Sequence, residues 1–153
     1  MDVVQMDRME KAWKRHADKL SQRILSDYEI EYSKGFPPNR MVEFLSGRFA
    51  AKEAIAKAVG CGLANLHMPC VTVALGNAGL RILWEPPTNG LSSDAAAGNT
   101  GAVSTVAGSA GASATPARAG AVSTPPWPAD AVWHVSISHA AGLAVAMAIL
   151  ERV

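Results

Sequence analysis

The side chains best suited to chemistry lie in two short stretches. The first is Gly47-Arg48-Phe49-Ala50-Ala51-Lys52-Glu53-Ala54-Ile55-Ala56-Lys57, in which Glu53 and Lys57 stand four residues apart. On a helix that spacing puts a carboxylate and an ammonium on one flank, and as a plain surface ion pair they would add only about 0.2–0.5 kcal/mol. The second stretch is Ser136-Ile137-Ser138-His139. Serine next to histidine raises the chemistry of serine hydrolases, but two serines alternating along a strand, without the glycines of a nucleophile elbow, do not build it. His16, His67 and His134 have no metal-ligand spacing with Cys61 or Cys70. Zinc is therefore not expected, and these histidines read as surface or satisfied core residues.

The elements that must position these residues can be read from periodicity. Residues 42–59 form a helix on which Leu45, Phe49, Ile55, Ala56 and Val59 share one arc at 100° per residue. Gly47, Ala50, Ala51, Ala54 and Ala58 occupy most of the remainder. Small residues all round imply close packing on more than one side, so Arg48, Lys52, Glu53 and Lys57 belong to a largely buried helix and need partners. Upstream, Met9, Trp13, His16, Leu20 and Ile24 recur at helical spacing, with Lys11, Lys14, Arg15, Lys19 and Arg23 mostly around them. That is an amphipathic helix with a basic flank. Ser26 and Glu29 have capping-box spacing and predict a short second helix, which Pro37 and Pro38 should end.

Residues 70–75 and 80–84 are rich in β-branched and bulky apolar side chains around Asn77-Ala78-Gly79, which predicts a hairpin. Residues 132–139 and 143–150, separated by Ala140-Ala141-Gly142, predict a second pair, and residues 3–5 a short first strand. The fold class is α+β, an antiparallel-leaning sheet packed with helices.

The 153 residues fit one compact domain, residues 1–153. A formal charge of +1 lacks the basic excess of a nucleic-acid binder, and no apolar stretch approaches the roughly 20 residues of a membrane span. No nucleic-acid or membrane partner is expected. The first residues lack the basic start and apolar run of a secretory signal, so the chain is read as cytoplasmic, with Cys61 and Cys70 as reduced structural thiols. In residues 91–126, 26 of 36 are Ala, Gly, Ser or Thr, a composition that cannot form a core and predicts a flexible insertion ending at Pro125-Pro126-Trp127-Pro128.

The run from Gly47 through Lys57 continues as Ala58-Val59-Gly60-Cys61-Gly62, with Met1-Asp2-Val3-Val4 before it and Ser136-Ile137-Ser138-His139 after it. This ordered trio resembles the holo-acyl-carrier-protein synthases, the small phosphopantetheinyl transferases. Their helix pattern R-F-A-x-K-E-A-x-x-K-A-x-G-x-G is met at Arg48, Phe49, Ala50, Lys52, Glu53, Ala54, Lys57, Ala58, Gly60 and Gly62, and S-I-S-H is met outright. So many fixed positions in order are far more specific than one short motif. The resemblance covers nearly the whole chain except residues 91–126.

The resemblance implies a phosphopantetheinyl transferase fold and a homotrimer with sites between subunits. It implies transfer of phosphopantetheine from coenzyme A to a serine of apo-acyl carrier protein, for fatty acid biosynthesis, with release of adenosine 3',5'-bisphosphate. A hard ion such as Mg2+ suits two carboxylates plus phosphate oxygens and waters, and the resemblance assigns Asp2 and Glu53 to it. Lys57 would clamp phosphate, so Glu53, Lys57 and Asp2 are the expected catalytic set. Arg48, Lys57, Gly60, Gly62, Ser138 and His139 would line coenzyme A. The stretch from Asp2 to Arg8 resembles the family's D-I-V-x-x-x-R, which gives Arg8 the acidic carrier protein as partner, with Lys11, Lys14 and Arg15 extending the patch. Proton removal from the serine could fall to Glu53 or to a metal-bound water.

The chain departs from the family in beginning one residue before Asp2, where a metal ligand would hang from a frayed end. The rival expectation is therefore a catalytically silent homologue that still binds the carrier protein. Within the enzyme class, the rival is a transferase that primes polyketide or peptide-synthase carriers.

Overall fold

The computed structural model describes residues 1–77, 79–85 and 124–152. Strand β1 (Asp2–Gln5) runs directly into helix α1 (Met6–Ile24), followed by α2 (Asp27–Tyr32), α3 (Pro38–Val59) and α4 (Leu63–Leu66). A 3-10 turn (Met68–Cys70) leads to β2 (Val71–Gly76) and β3 (Gly79–Trp84), and the chain closes with β4 (Ala131–Ala140) and β5 (Leu143–Arg152). All pairing is antiparallel, but in two sheets: β1-β5-β4, and the hairpin β2-β3. The expected α+β class holds, with two small sheets where one was expected.

Register decides what faces the helices. Asp2 stands opposite Ala146, which stands opposite Ile137, and Val4, Ala144 and His139 form the parallel row two residues on. Side chains in these rows point to the same face, and α3 covers it. Ala146 and Ala148 of β5 pack with Ala50, Ala51, Ala54 and Ile55 of α3, and Ala144 is buried on the same face of the sheet. Alanine against alanine lets helix and sheet approach closely, as the small residues of α3 required. A second apolar cluster, of Met9, Ile24, Leu25, Val42, Phe44 and Leu45, fills the space between α1 and α3. Each large aliphatic or aromatic side chain buried there contributes about 1.5–3 kcal/mol.

Three boundaries differ from expectation. Pro37 and Pro38 do not end the second helix; Pro38 opens α3 near its N-terminus, where its missing N–H costs nothing. The chain has already left α2 at Ser33, before Gly35 turns it with φ of +82°. Helix α1 is interrupted at His16, whose φ of −142° and ψ of 32° are not helical, although neither Pro nor Gly is present there. His16 is exposed, so it does not join the apolar face the spacing assigned it to.

The insertion read at residues 91–126 lies outside the described residues apart from 124–126. Beside it, Trp127 sits edge-on between Trp84 of β3 and Trp133 of β4, with both ring separations 5.4 Å. Cys61 and Cys70 form no disulfide with each other, in line with the expected reduced thiols. Among the described residues no helix is long and apolar enough to cross a membrane.

Candidate active site

Asp2 is the first residue of β1 and is drawn into the fold by its pairing with Ala146. The residue is only 9% exposed, and Oδ1 accepts a hydrogen bond from Lys57 Nζ at 2.6 Å. The frayed end expected at this position is therefore not what the structure shows, because sheet pairing and an ion pair both tie Asp2 down. Its second oxygen, Oδ2, is buried, and no N–H or hydroxyl among the described residues donates to it. Glu53, one turn before Lys57 on α3, faces the same carboxylate. Burial first, then hydrogen bonding and charge from Asp2, push the Glu53 carboxyl above its ordinary range, while Lys57 partly offsets them. Lys57 is raised in turn, chiefly by its hydrogen bond to Asp2.

Two carboxylates pressed together with one buried oxygen unsatisfied suit a divalent cation, which would relieve the repulsion and fill the open acceptor. Among the described residues no three His, Cys, Asp or Glu side chains gather as a metal cage. Lys57 is more than half exposed, so its ammonium can swing from Asp2 to an incoming anion.

The remaining cations of α3 lie on a different face. Lys52 is fully buried and donates to Glu29 Oε2 at 2.5 Å, Ile24 O at 2.6 Å and Met68 O at 3.0 Å. Burial outweighs the attraction of Glu29 and pulls the Lys52 ammonium down to about 8. Arg48 Nε lies 3.2 Å from Glu29 Oε1 but off the line of a hydrogen bond, so that contact is electrostatic. The Arg48 guanidinium sits over the Phe44 ring, 4.4 Å from its centroid, and desolvation lowers its proton affinity. Arg48, 14% exposed, is thus held against Glu29 and apart from Asp2 and Glu53.

His139 also rests on α3, with Nε2 3.0 Å from the carbonyl of Glu43. That carbonyl can only accept, so the contact is a hydrogen bond when Nε2 carries a proton. Gly47 makes the approach possible, because a Cβ there would stand 2.9 Å from His139 Nε2 and 3.1 Å from Ile137 Cγ2. Ser138 points to the opposite face of the sheet by strand alternation and is exposed. Gly60 caps α3 in the left-handed conformation with φ of +78°, and Gly62 follows with φ of +71°. This sharp turn lies just beyond Lys57 and leaves space around both glycines.

A sequence model of the 4'-phosphopantetheinyl transferase superfamily matches residues 1–86, which include Asp2, Arg8, Glu53 and Lys57. The chain belongs to this superfamily. A holo-acyl-carrier-protein synthase of Streptococcus agalactiae serotype III is 30% identical over 109 residues, covering 69% of this chain and 91% of that relative. One from an Exiguobacterium species is 48% identical over 65 residues, 42% of this chain, and the match spans about half of that relative's length, 52%. The fold also matches the crystal structure of a holo-acyl-carrier-protein synthase from Bacillus anthracis in complex with CoA (3',5'-ADP), at TM-score 0.63 and 27% identity. That match covers 99% of this chain and 93% of the other.

The transferase expected from the motifs is therefore this chain's family. Of the residues the motifs singled out, the fold brings together Asp2, Glu53 and Lys57. Arg48 and His139 pack on α3 with Glu29 and Glu43 respectively. Arg8, Lys11 and Arg15 are exposed on α1, and among the described residues none of them has an acidic partner, whereas Lys14 pairs with Glu10 at 2.6 Å. Arg8 borders an open groove of about 760 Å³ between α1 and the β1-β5 edge, with Val3, Met9, Leu20, Phe49 and Leu143 along it. Glu29 was not singled out as a functional partner. Its capping-box spacing was visible, but its partners Lys52 and Val73 lie 23 and 44 residues away.

Proposed function

We propose that this chain transfers 4'-phosphopantetheine from coenzyme A to a serine hydroxyl of an acyl carrier protein. The reading is carried by the Asp2-Glu53-Lys57 cluster, a pair of crowded carboxylates with an unsatisfied buried oxygen beside an exposed lysine. Asp2 and Glu53 would hold Mg2+, which when bound neutralises the charge of the pyrophosphate and of the leaving group. Lys57 exchanges its hydrogen bond with Asp2 for a phosphate oxygen and holds the diphosphate in line with the incoming hydroxyl. The serine oxygen forms a bond to the β-phosphorus, and the bond from that phosphorus to the bridging oxygen breaks, releasing adenosine 3',5'-bisphosphate. The serine proton must pass to a base at this site, a role for which Glu53 is read as the candidate side chain.

Arg48, Gly60, Gly62, Ser138 and His139 are read as the nucleotide side of the site, and the exposed cations Arg8, Lys11 and Arg15 as the carrier-protein side. An acidic carrier would be steered to that face even though the net charge is only +1. The outer face of the three-stranded sheet exposes Val3, Met147 and Ile149, each near half exposed, which supports assembly into a homotrimer. Residues 1–153 are read as one cytoplasmic domain interrupted by residues 91–126, serving carrier proteins of fatty acid biosynthesis.

The test is incubation of the chain with apo-acyl carrier protein, coenzyme A and Mg2+, with the carrier weighed intact. A phosphopantetheine adduct that chelation abolishes is the expected result. An unmodified carrier in the presence of folded protein would refute the reading.

A further inference from the structure

The three donors of the Lys52 ammonium go to three different elements: the last residue of α1 through Ile24 O, α2 through Glu29, and the 3-10 turn through Met68 O. Glu29, 1% exposed, adds a fourth, since Oε1 accepts from the backbone N–H of Val73 in β2 at 3.0 Å. Its Oε2 also accepts from the N–H of Ser26 at 2.9 Å. One buried ion pair thus ties α3 to four neighbours. On the opposite side, α3 meets β5 through alanines, a contact with no polar or charged bond in it.

Lys52 precedes Glu53 by one residue and Lys57 by five, which on a helix is about 140° and roughly 7.5 Å from Lys57. Fixing Lys52 therefore fixes the direction in which Glu53 and Lys57 project. A buried ion pair is seldom more stable than a hydrophobic pair of the same size, so stability alone does not explain it. We propose that Lys52 and Glu29 are positioning residues for the transfer site: their buried bonds set the rotation of α3 so that Glu53 and Lys57 face Asp2. This rests on the transferase reading.

The test uses the full chain carrying Lys52→Met and Glu29→Gln together, which removes both charges of the pair and leaves Arg48 its contact with the Phe44 ring. The double variant should fold, with kcat reduced about tenfold or more, while KM for the carrier, bound through α1, stays within about twofold. Its crystal structure should show the 2.6 Å contact between Lys57 and Asp2 lost. Ile55→Val, a core trim elsewhere on α3, controls for stability and should keep the parent kcat. Parent kcat in the double variant, an unchanged contact between Lys57 and Asp2, or an equal loss of kcat in Ile55→Val would overturn the proposal. If the parent chain transfers nothing, the transferase reading falls, and the position of Lys57 in the double variant still decides the positioning role.

Discussion

Glu53 is held in a place that favours its protonated form, and the sign of that effect can be measured. Below pH 4.5, its ordinary value, folded and unfolded chains both carry a proton on this carboxyl, and it contributes nothing to the difference between them. As pH rises through the higher folded value, the folded chain must accept a charge that burial and Asp2 oppose, so stability falls across that window and stays lower above it. Glu53→Gln removes this penalty. Without metal, the variant should melt above the parent at pH 7 and level with it near pH 4, while transfer falls about a hundredfold or more. A variant that melts below the parent at pH 7 would mean that Glu53 is a structural group and not a ligand kept ready at a cost. The family motifs made Glu53 and Lys57 visible in the sequence, but the strain between Glu53 and Asp2 was not, because it arises only when β1 is laid beside α3.

Helix α3 was the most legible element, since its run of small residues announced close packing and Arg48, Lys52, Glu53 and Lys57 announced partners. Lys52 and Arg48 found Glu29, and Lys57 found Asp2. The identity of those partners was hidden because each ion pair joins segments distant in sequence. Pro38 was misread as a stop because proline breaks a helix interior yet fits its first turn, and local sequence does not distinguish these roles. The break at His16 has no sequence marker at all. Gly47 looked like one more small residue, and only the register of β4 shows that it leaves room for His139.

Gly47→Ala therefore tests the element. Helix propensity alone would favour alanine by about 1 kcal/mol. The new Cβ would instead press on His139 and Ile137 at distances that require movement, and overpacking of this kind costs about 1–3 kcal/mol. A net loss of stability in urea, together with loss of the His139 contact to Glu43, is expected. A variant more stable than the parent would show that β4 yields freely and that Gly47 has no packing role.

At the scale of the whole molecule, two surfaces have no partner among the described residues, and they differ in physics. The α1 face is cationic, so Arg8→Glu should weaken carrier binding strongly at low salt, with an effect that shrinks as ionic strength screens the charges. A loss independent of salt, seen as KM for the carrier measured across a salt series, would instead indicate a damaged fold. The outer face of the sheet is apolar. Ile149 is 49% exposed there beside Met147 at 48%, while the same strands bury Ala144 and Ala146 on the inner face. Because alternation separates the two faces, Ile149→Lys alters the outer one without touching the α3 contacts. If three copies join through this face, a lysine from each would be buried without a partner, at a cost of several kcal/mol per copy. The variant should then run as a folded monomer in light scattering and lose transfer, because a site completed by a neighbouring subunit is no longer formed. A variant that remains trimeric would place the subunit interface elsewhere, and a monomer with full activity would show that one chain completes the site alone.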